Sequence, residues 1–297
     1  MRRFALALCL VVFTSAAGSA AGTDPALRRG EYVFRAAGCV SCHTDLKNKG
    51  PRLAGGRALK TPFGTFYGPN ITPDTTHGIG AWTEADFVRA LRRGVSPDGA
   101  HYFPAFPYAA YTRMTNADLR ALWAYLRAQP PVERPNRPHD LRFPFNLRFL
   151  IGPWKWLYFE PGPQRPEAGR SAAWNRGAYL VEALGHCAEC HTPRTLLGGL
   201  DRDRHMAGTR DGPEGKPVPN ITPDAATGIG DWSRGDVTTL LKFGMLPDGE
   251  FVGGLMAEVV EHSTRYLTPE DRAAIVDYIR SLPAIHNDLR PADKGGS

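Results

Sequence analysis

The chain has 297 residues, with 36 Lys and Arg against 30 Asp and Glu, a formal net charge of +6. Hydrophobic residues make up 42% and charged residues 22%, too apolar a mix for a disordered polyelectrolyte, and no residue class repeats at collagen or coiled-coil periods. The basic excess is not blocked: its longest runs are Arg2-Arg3, Arg28-Arg29 and Arg92-Arg93, which argues against a nucleic-acid surface. The length suits about two domains. With 32 Gly and 26 Pro, many loops and few long elements are expected.

Met1-Arg2-Arg3, the apolar stretch Phe4 to Phe13, and the small residues from Thr14 to Gly22 have the layout of a secretory signal peptide over 1–21, with Ser19-Ala20-Ala21 as a cleavage site. The apolar stretch falls short of the roughly 20 residues a membrane span needs. Cys9 lies too early and follows Leu8, which argues against a lipoprotein. The mature chain is expected in the periplasm, soluble or peripheral on the inner membrane.

Four cysteines then remain: Cys39, Cys42, Cys187 and Cys190. They form two words of the same spacing with the same following residue, Cys39-Val40-Ser41-Cys42-His43 and Cys187-Ala188-Glu189-Cys190-His191. C-x-x-C-H is the attachment site of c-type haem. Two thiols three positions apart can add to the two vinyl groups of one porphyrin, and the adjacent His reaches the iron. Disulfides, a redox C-x-x-C or a zinc site explain the repeated His less well. Two covalent haem c groups are expected.

The sequence is also duplicated. Asn70-Ile71-Thr72-Pro73-Asp74 recurs as Asn220-Ile221-Thr222-Pro223-Asp224, Gly78-Ile79-Gly80 with Trp82 as Gly228-Ile229-Gly230 with Trp232, and Pro97-Asp98-Gly99 as Pro247-Asp248-Gly249. The expected organisation is a first haem domain over 22–130, a linker over 131–170, a second haem domain over 171–285 and a tail over 286–297.

Each repeat reads as short helices around loops. Asp24 can cap a helix with Pro25 at its first position, running to Gly38; its counterpart runs from about Ser171 to Leu184. Thr83 and Ser233 can cap a second pair, ending at Gly94 and Gly244. The last pair starts at Thr115 and Thr268, with Asp118 and Asp271 in the capping-box position. Leu119, Leu122, Trp123 and Leu126 form one apolar stripe, repeated by Ala274, Ile275, Tyr278, Ile279 and Leu282. No stretch shows sustained period-two alternation, so the fold is expected to be all-α.

The far side of each iron needs a second ligand, and Met, with its soft thioether, favours ferrous iron. The first repeat offers Met114. The second offers Met206, Met245 and Met256. Met206 follows His191 too closely to wrap around a porphyrin, and Met256, in a Gly-rich loop, is preferred over Met245. His ligation through His101 or His262 stays open. Aligning the last helices puts Met114 opposite Leu267, so the two ligands come from different points of the same loop.

These words resemble the multi-haem cytochrome c subunits of periplasmic, membrane-associated dehydrogenases, both quinoprotein alcohol dehydrogenases and molybdenum hydroxylases. The resemblance is carried by N-I-T-P-D…G-I-G-x-W in both repeats, Phe106-Pro107-Tyr108…Tyr111…Met114-Thr115 in the first, and Met256-Ala257-Glu258-Val259-Val260…Tyr266-Leu267-Thr268 in the second, over about residues 25–285. It implies two tandem class I-like cytochrome c domains, with axial ligands His43 and Met114 on one iron and His191 and Met256 on the other. The alcohol dehydrogenase subunits carry three haems; this chain has two motifs.

The repeated Asn-Ile-Thr-Pro-Asp loop offers one carboxylate each, Asp74 and Asp224, too few for calcium. A place over a haem edge is expected, with Asn70, Asn220, Trp82 or Trp232 near propionates or the ring. The linker is rich in Pro and in the aromatics of Phe149 to Phe159, which suits a strap packed between the domains, or a docking surface for a partner enzyme or membrane. The function expected is electron transfer from a periplasmic dehydrogenase to a soluble cytochrome, quinone or oxidase, without independent enzyme activity. The alternative is a free-standing dihaem oxidoreductase, peroxidase-like or thiosulfate-oxidising.

Overall fold

The computed structural model describes residues 24–289; the expected signal peptide and the end of the tail lie outside the described residues. Asp24 accepts from the Ala26 amide at 2.9 Å and starts helix α1, Pro25–Ala36. Gly38, at φ 62°, turns the chain into the short motif helix α2, Cys39–His43. A hairpin follows, β1 Ala58–Thr61 and β2 Gly64–Tyr67, and β3 Asp140–Leu141 of the strap pairs antiparallel with β2. The expectation of an all-α chain is therefore corrected: the protein is helix-rich with one small sheet. Its strands are four residues or fewer, with no clean in–out alternation of burial, so they leave no period-two signature.

Helix α3, Glu84–Arg93, has a full Thr83/Asp86 capping box and stops at Gly94 in the left-handed region. After α4, Tyr108–Tyr111, comes α5, Asn116–Arg127, capped by Thr115. The strap contains α6, Ile151–Tyr158. The second repeat starts with α7, Ala172–Tyr179, capped by Ser171. It widens over Leu180–Leu184, where the Gly185 amide reaches back to the Leu180 carbonyl at 2.6 Å. The order then repeats: motif helix α8 Ala188–His191, α9 Arg234–Phe243 with a Ser233/Asp236 box, α10 Gly254–His262 and α11 Pro269–Ile279.

In each repeat the first helix crosses the last, α1 on α5 and α7 on α11. The crossing is close because a glycine sits at it: a Cβ on Gly30 would lie 2.1 Å from the Ala121 carbonyl oxygen, and one on Gly177 would lie 1.9 Å from that of Ala274. The two repeats do not keep separate cores. Val33, Phe34, Leu119 and Leu122 belong to the same buried cluster as Val181, Leu184, Ile275 and Val276.

Asp118 and Asp271 depart from the capping boxes expected of them. Each amide bonds its capping threonine, but the carboxylates turn elsewhere. Asp118 accepts from Arg29 at 2.7 Å and from the Tyr179 hydroxyl at 2.6 Å, while Asp271 accepts from Arg176 Nε and Nη2 at 2.9 and 2.6 Å.

The strap is ordered by specific bonds. Buried Lys155 donates through Nζ to the Arg93 and Gly94 carbonyls at 2.6 and 2.7 Å, and Trp154 donates to the Leu197 carbonyl at 3.0 Å.

Candidate haem sites

Both motif histidines are oriented alike. His43 Nδ1 lies 2.8 Å from the Pro69 carbonyl oxygen and His191 Nδ1 lies 2.9 Å from that of Pro219. A proton on Nδ1 satisfies that carbonyl and leaves Nε2 as the free lone pair, the tautomer a metal ligand needs. Burial pushes both imidazoles below their ordinary value, with the carbonyl opposing, so neutral rings are favoured. The backbone closes on them in the same way in both repeats, Gly55 N donating to the His43 carbonyl at 2.8 Å and Gly208 N to the His191 carbonyl at 2.7 Å.

Within each motif the two cysteines lie three positions apart on one face of a helical turn, and neither forms a disulfide. Burial pushes the Cys39 and Cys187 thiols up to about 12 and Cys190 up to about 11, and raises Cys42 as well. Two cysteines outside any disulfide beside an oriented, neutral imidazole fit a covalently held haem.

The expected loop role of the repeated asparagines is corrected. Asn70 donates to the Val132 and Arg134 carbonyls and accepts from the amide and hydroxyl of Thr72. Asn220 does the same with the Ile285 carbonyl and Thr222. With both ends of each amide engaged, these asparagines tie the segment after each last helix to the loop whose proline carbonyl orients the histidine. They are not placed for propionates. Asp74 and Asp224 accept from amides of their own turns.

Met114 is fully buried in the turn between α4 and α5, in the same cluster as Val40, with Cys39 packed against it. Met256 is half-buried, the third residue of α10. Met206 takes the place of a core leucine: its amide donates to Thr192 Oγ1 at 3.0 Å, as that of Leu53 does to Thr44 Oγ1 in the first repeat. Met245 lies exposed in a bridge with Phe251. His101 Nδ1 lies 3.0 Å from Lys155 Nζ beneath the strap.

Sequence reasoning missed how the two motif regions meet. Tyr111 donates to the Ala37 carbonyl at 2.9 Å, and its ring meets that of His186 edge-on at 5.6 Å. His186, at φ 38°, stands where the first repeat has Gly38, a substitution visible in the repeat alignment. Buried Arg57 donates to Glu258, two residues beyond Met256, at 3.0 Å. No periodicity marks Arg57 in the sequence, because a single buried arginine next to a hairpin resembles a surface one.

The cytochrome c family model matches residues 27–130 and 175–283, and the chain belongs to that family. It binds two covalently attached haem c groups. It is similar to a diheme cytochrome c-type protein of Cereibacter sphaeroides, 45% identical over 96% of this chain and all of that protein. It is also similar to the fructose dehydrogenase cytochrome subunit of Gluconobacter japonicus, 43% identical over 88% of this chain and 53% of that protein. A nicotinate dehydrogenase subunit of Pseudomonas putida is 42% identical over 86% of this chain and 21% of that protein. The chain thus spans about half the length of the fructose dehydrogenase relative and a fifth of the nicotinate dehydrogenase one.

Proposed function

We propose that the protein is an exported electron carrier that takes electrons from a periplasmic dehydrogenase of the quinoprotein or molybdenum hydroxylase type and passes them to a soluble cytochrome, a quinone or an oxidase. Cys39 and Cys42 hold the first haem and Cys187 and Cys190 the second. His43 with Met114, and His191 with Met256, are the axial ligands. Bound haem supplies one-electron exchange at iron. The chain's own residues do the rest: the proline carbonyls of Pro69 and Pro219 fix each imidazole, the buried core excludes water, and the soft methionine thioethers favour the reduced state. The observation that carries the reading is the pair of identically oriented motif histidines, whose motif neighbours Val40 and Ala188 belong to one continuous core. Such an arrangement suits exchange between two neighbouring centres.

The test is reduction of the air-oxidised protein by alcohols, aldehydes, sugars and thiosulfate, with and without a dehydrogenase from the same organism. Rapid reduction without the dehydrogenase overturns the carrier reading, and reduction only in its presence supports it.

A further inference from the structure

One surface plays no part in holding either haem. From Leu141 to Phe159 the strap contains Arg142, Arg148 and Lys155 and no acidic residue, and most of its other positions are Phe, Trp, Leu, Ile or Tyr. These side chains are not folded away: Phe143 is 77% exposed, Phe149 70%, Trp156 87% and Leu157 57%. On α6 the buried face carries Ile151 and Lys155, one turn apart, so Leu157, two residues on, faces the opposite side.

A turn of the second repeat joins the same surface. Besides the Trp154 bond to Leu197, Thr195 Oγ1 donates to the Tyr158 hydroxyl at 3.1 Å. Gly199 lies under the Tyr158 ring and Gly198 under Phe63, whose ring meets Phe145 at 4.7 Å. The tip of that turn holds Leu196 and Leu197, 98% and 58% exposed.

We propose that this surface rests on an anionic lipid bilayer. Phe143, Phe149, Trp156, Leu157, Leu196 and Leu197 enter the headgroup boundary, and Arg142 and Arg148 meet lipid phosphates. Three observations select lipid over a protein partner. The apolar side chains project singly and almost wholly into solvent from two separate segments, whereas anchors of protein interfaces fill pockets and are ringed by polar contacts. Trp and Phe mixed with Arg, without acids, is the composition of interfacial segments. Neither Arg142 nor Arg148 makes a direct ion pair among the described residues; Arg148 stacks on Phe103, donates to the His101 carbonyl and has the Asp98 carboxylate only as a more distant electrostatic neighbour. No helix among the described residues is long and apolar enough to cross a membrane. Lys155, bound on the inner side of α6, holds the surface rigid.

The test is flotation of the mature two-haem protein with vesicles of phosphatidylcholine and phosphatidylglycerol, three to one, and with phosphatidylcholine alone. The protein is expected to float with the anionic vesicles. The triple variant Trp156→Ser/Leu196→Ser/Leu197→Ser should lose about tenfold in partitioning, since it removes most of the inserted apolar surface. Arg142→Gln/Arg148→Gln should weaken binding to the anionic vesicles and abolish its salt dependence. All five positions are solvent-exposed, and an unchanged haem spectrum verifies the fold. Failure of the wild type to float with anionic vesicles overturns the proposal, as does a triple variant that floats equally well. A triple variant that keeps its vesicle binding but is no longer reduced by the dehydrogenase in solution assigns the surface to a protein partner, and also overturns it. Reduction in solution is read separately, so failure here leaves the carrier function standing.

Discussion

Tyr32 donates its hydroxyl to Asp271 at 2.5 Å, reaching from the first helix of one repeat to the last helix of the other. Tyr179 makes the mirror contact to Asp118, and each tyrosine oxygen also accepts a backbone amide, from Thr268 or Thr115. The two repeats therefore exchange equivalent residues across a pseudo-twofold relation. Burial pushes the Asp271 carboxyl up, but the hydrogen bonds from Arg176 and Tyr32 outweigh it and hold the group below its ordinary value.

This pairing should be measurable as a coupling. In a double-mutant cycle of Tyr32→Phe and Asp271→Asn, read by chemical denaturation, the interaction energy is expected at about 1.5–3 kcal/mol, the range for a hydrogen bond to a charged group. Because the folded carboxyl titrates below the unfolded one, this stabilisation is complete above about pH 4 and is lost as the pH falls through the folded value. Additive single variants would show that the two repeats are not locked together through this pair.

Haem content is the second expectation. Acid-acetone extraction should leave all colour on the protein, and a pyridine haemochrome assay should give two haems per chain. Cys187→Ser/Cys190→Ser should halve that ratio. A wild-type ratio near one refutes the assignment of both motifs.

The methionines separate into two kinds. Met114→Ala and Met256→Ala should each remove about half of the Met-to-iron charge-transfer absorption and lower the potential of one haem, because the soft ligand favouring ferrous iron is gone. Met206→Leu, which restores the residue used in the first repeat, should leave both potentials unchanged and cost under about 1.5 kcal/mol. A Met114→Ala protein with unaltered spectrum and potentials contradicts that ligand assignment.

The strap carries its own pH dependence. Burial pushes the Lys155 ammonium down to about 8. Between about pH 8 and the ordinary lysine value near 10.4, the unfolded chain holds a proton that the folded chain has released, so stability rises with pH across that window. Below it the cost of the buried charge is constant. Lys155→Met should remove this slope from the difference between variant and wild-type denaturation curves taken from pH 7.5 to 10.5. Equal slopes would show that Lys155 keeps an ordinary value.

Much of this was legible in the sequence. The caps at Thr83 and Ser233, the stops at Gly94 and Gly244, and the motif words all act within a few residues, so short-range chemistry announces them. The hairpin from Ala58 to Tyr67 was not visible, because its third strand comes from the strap and the pairing is set by tertiary contact. The Asp118 box misled for a related reason: a carboxylate three positions after a capping threonine looks local until an arginine and a tyrosine outcompete the N-cap amide. The tyrosine exchange did leave a trace, since Arg29-Gly30-Glu31-Tyr32 recurs as Arg176-Gly177-Ala178-Tyr179. That trace is intelligible only once the glycine is seen to admit the crossing helix and the tyrosine to leave its own repeat.

The shared core changes what the duplication means. A doubled gene ordinarily yields two units that can be parted again, each able to live alone. Here Phe34 and Leu122 on one side and Val181 and Ile275 on the other bury a common interior. Severing the chain at the strap would strip both halves at once, so the copies have become obligate companions, and damage to either haem pocket is inherited by its neighbour.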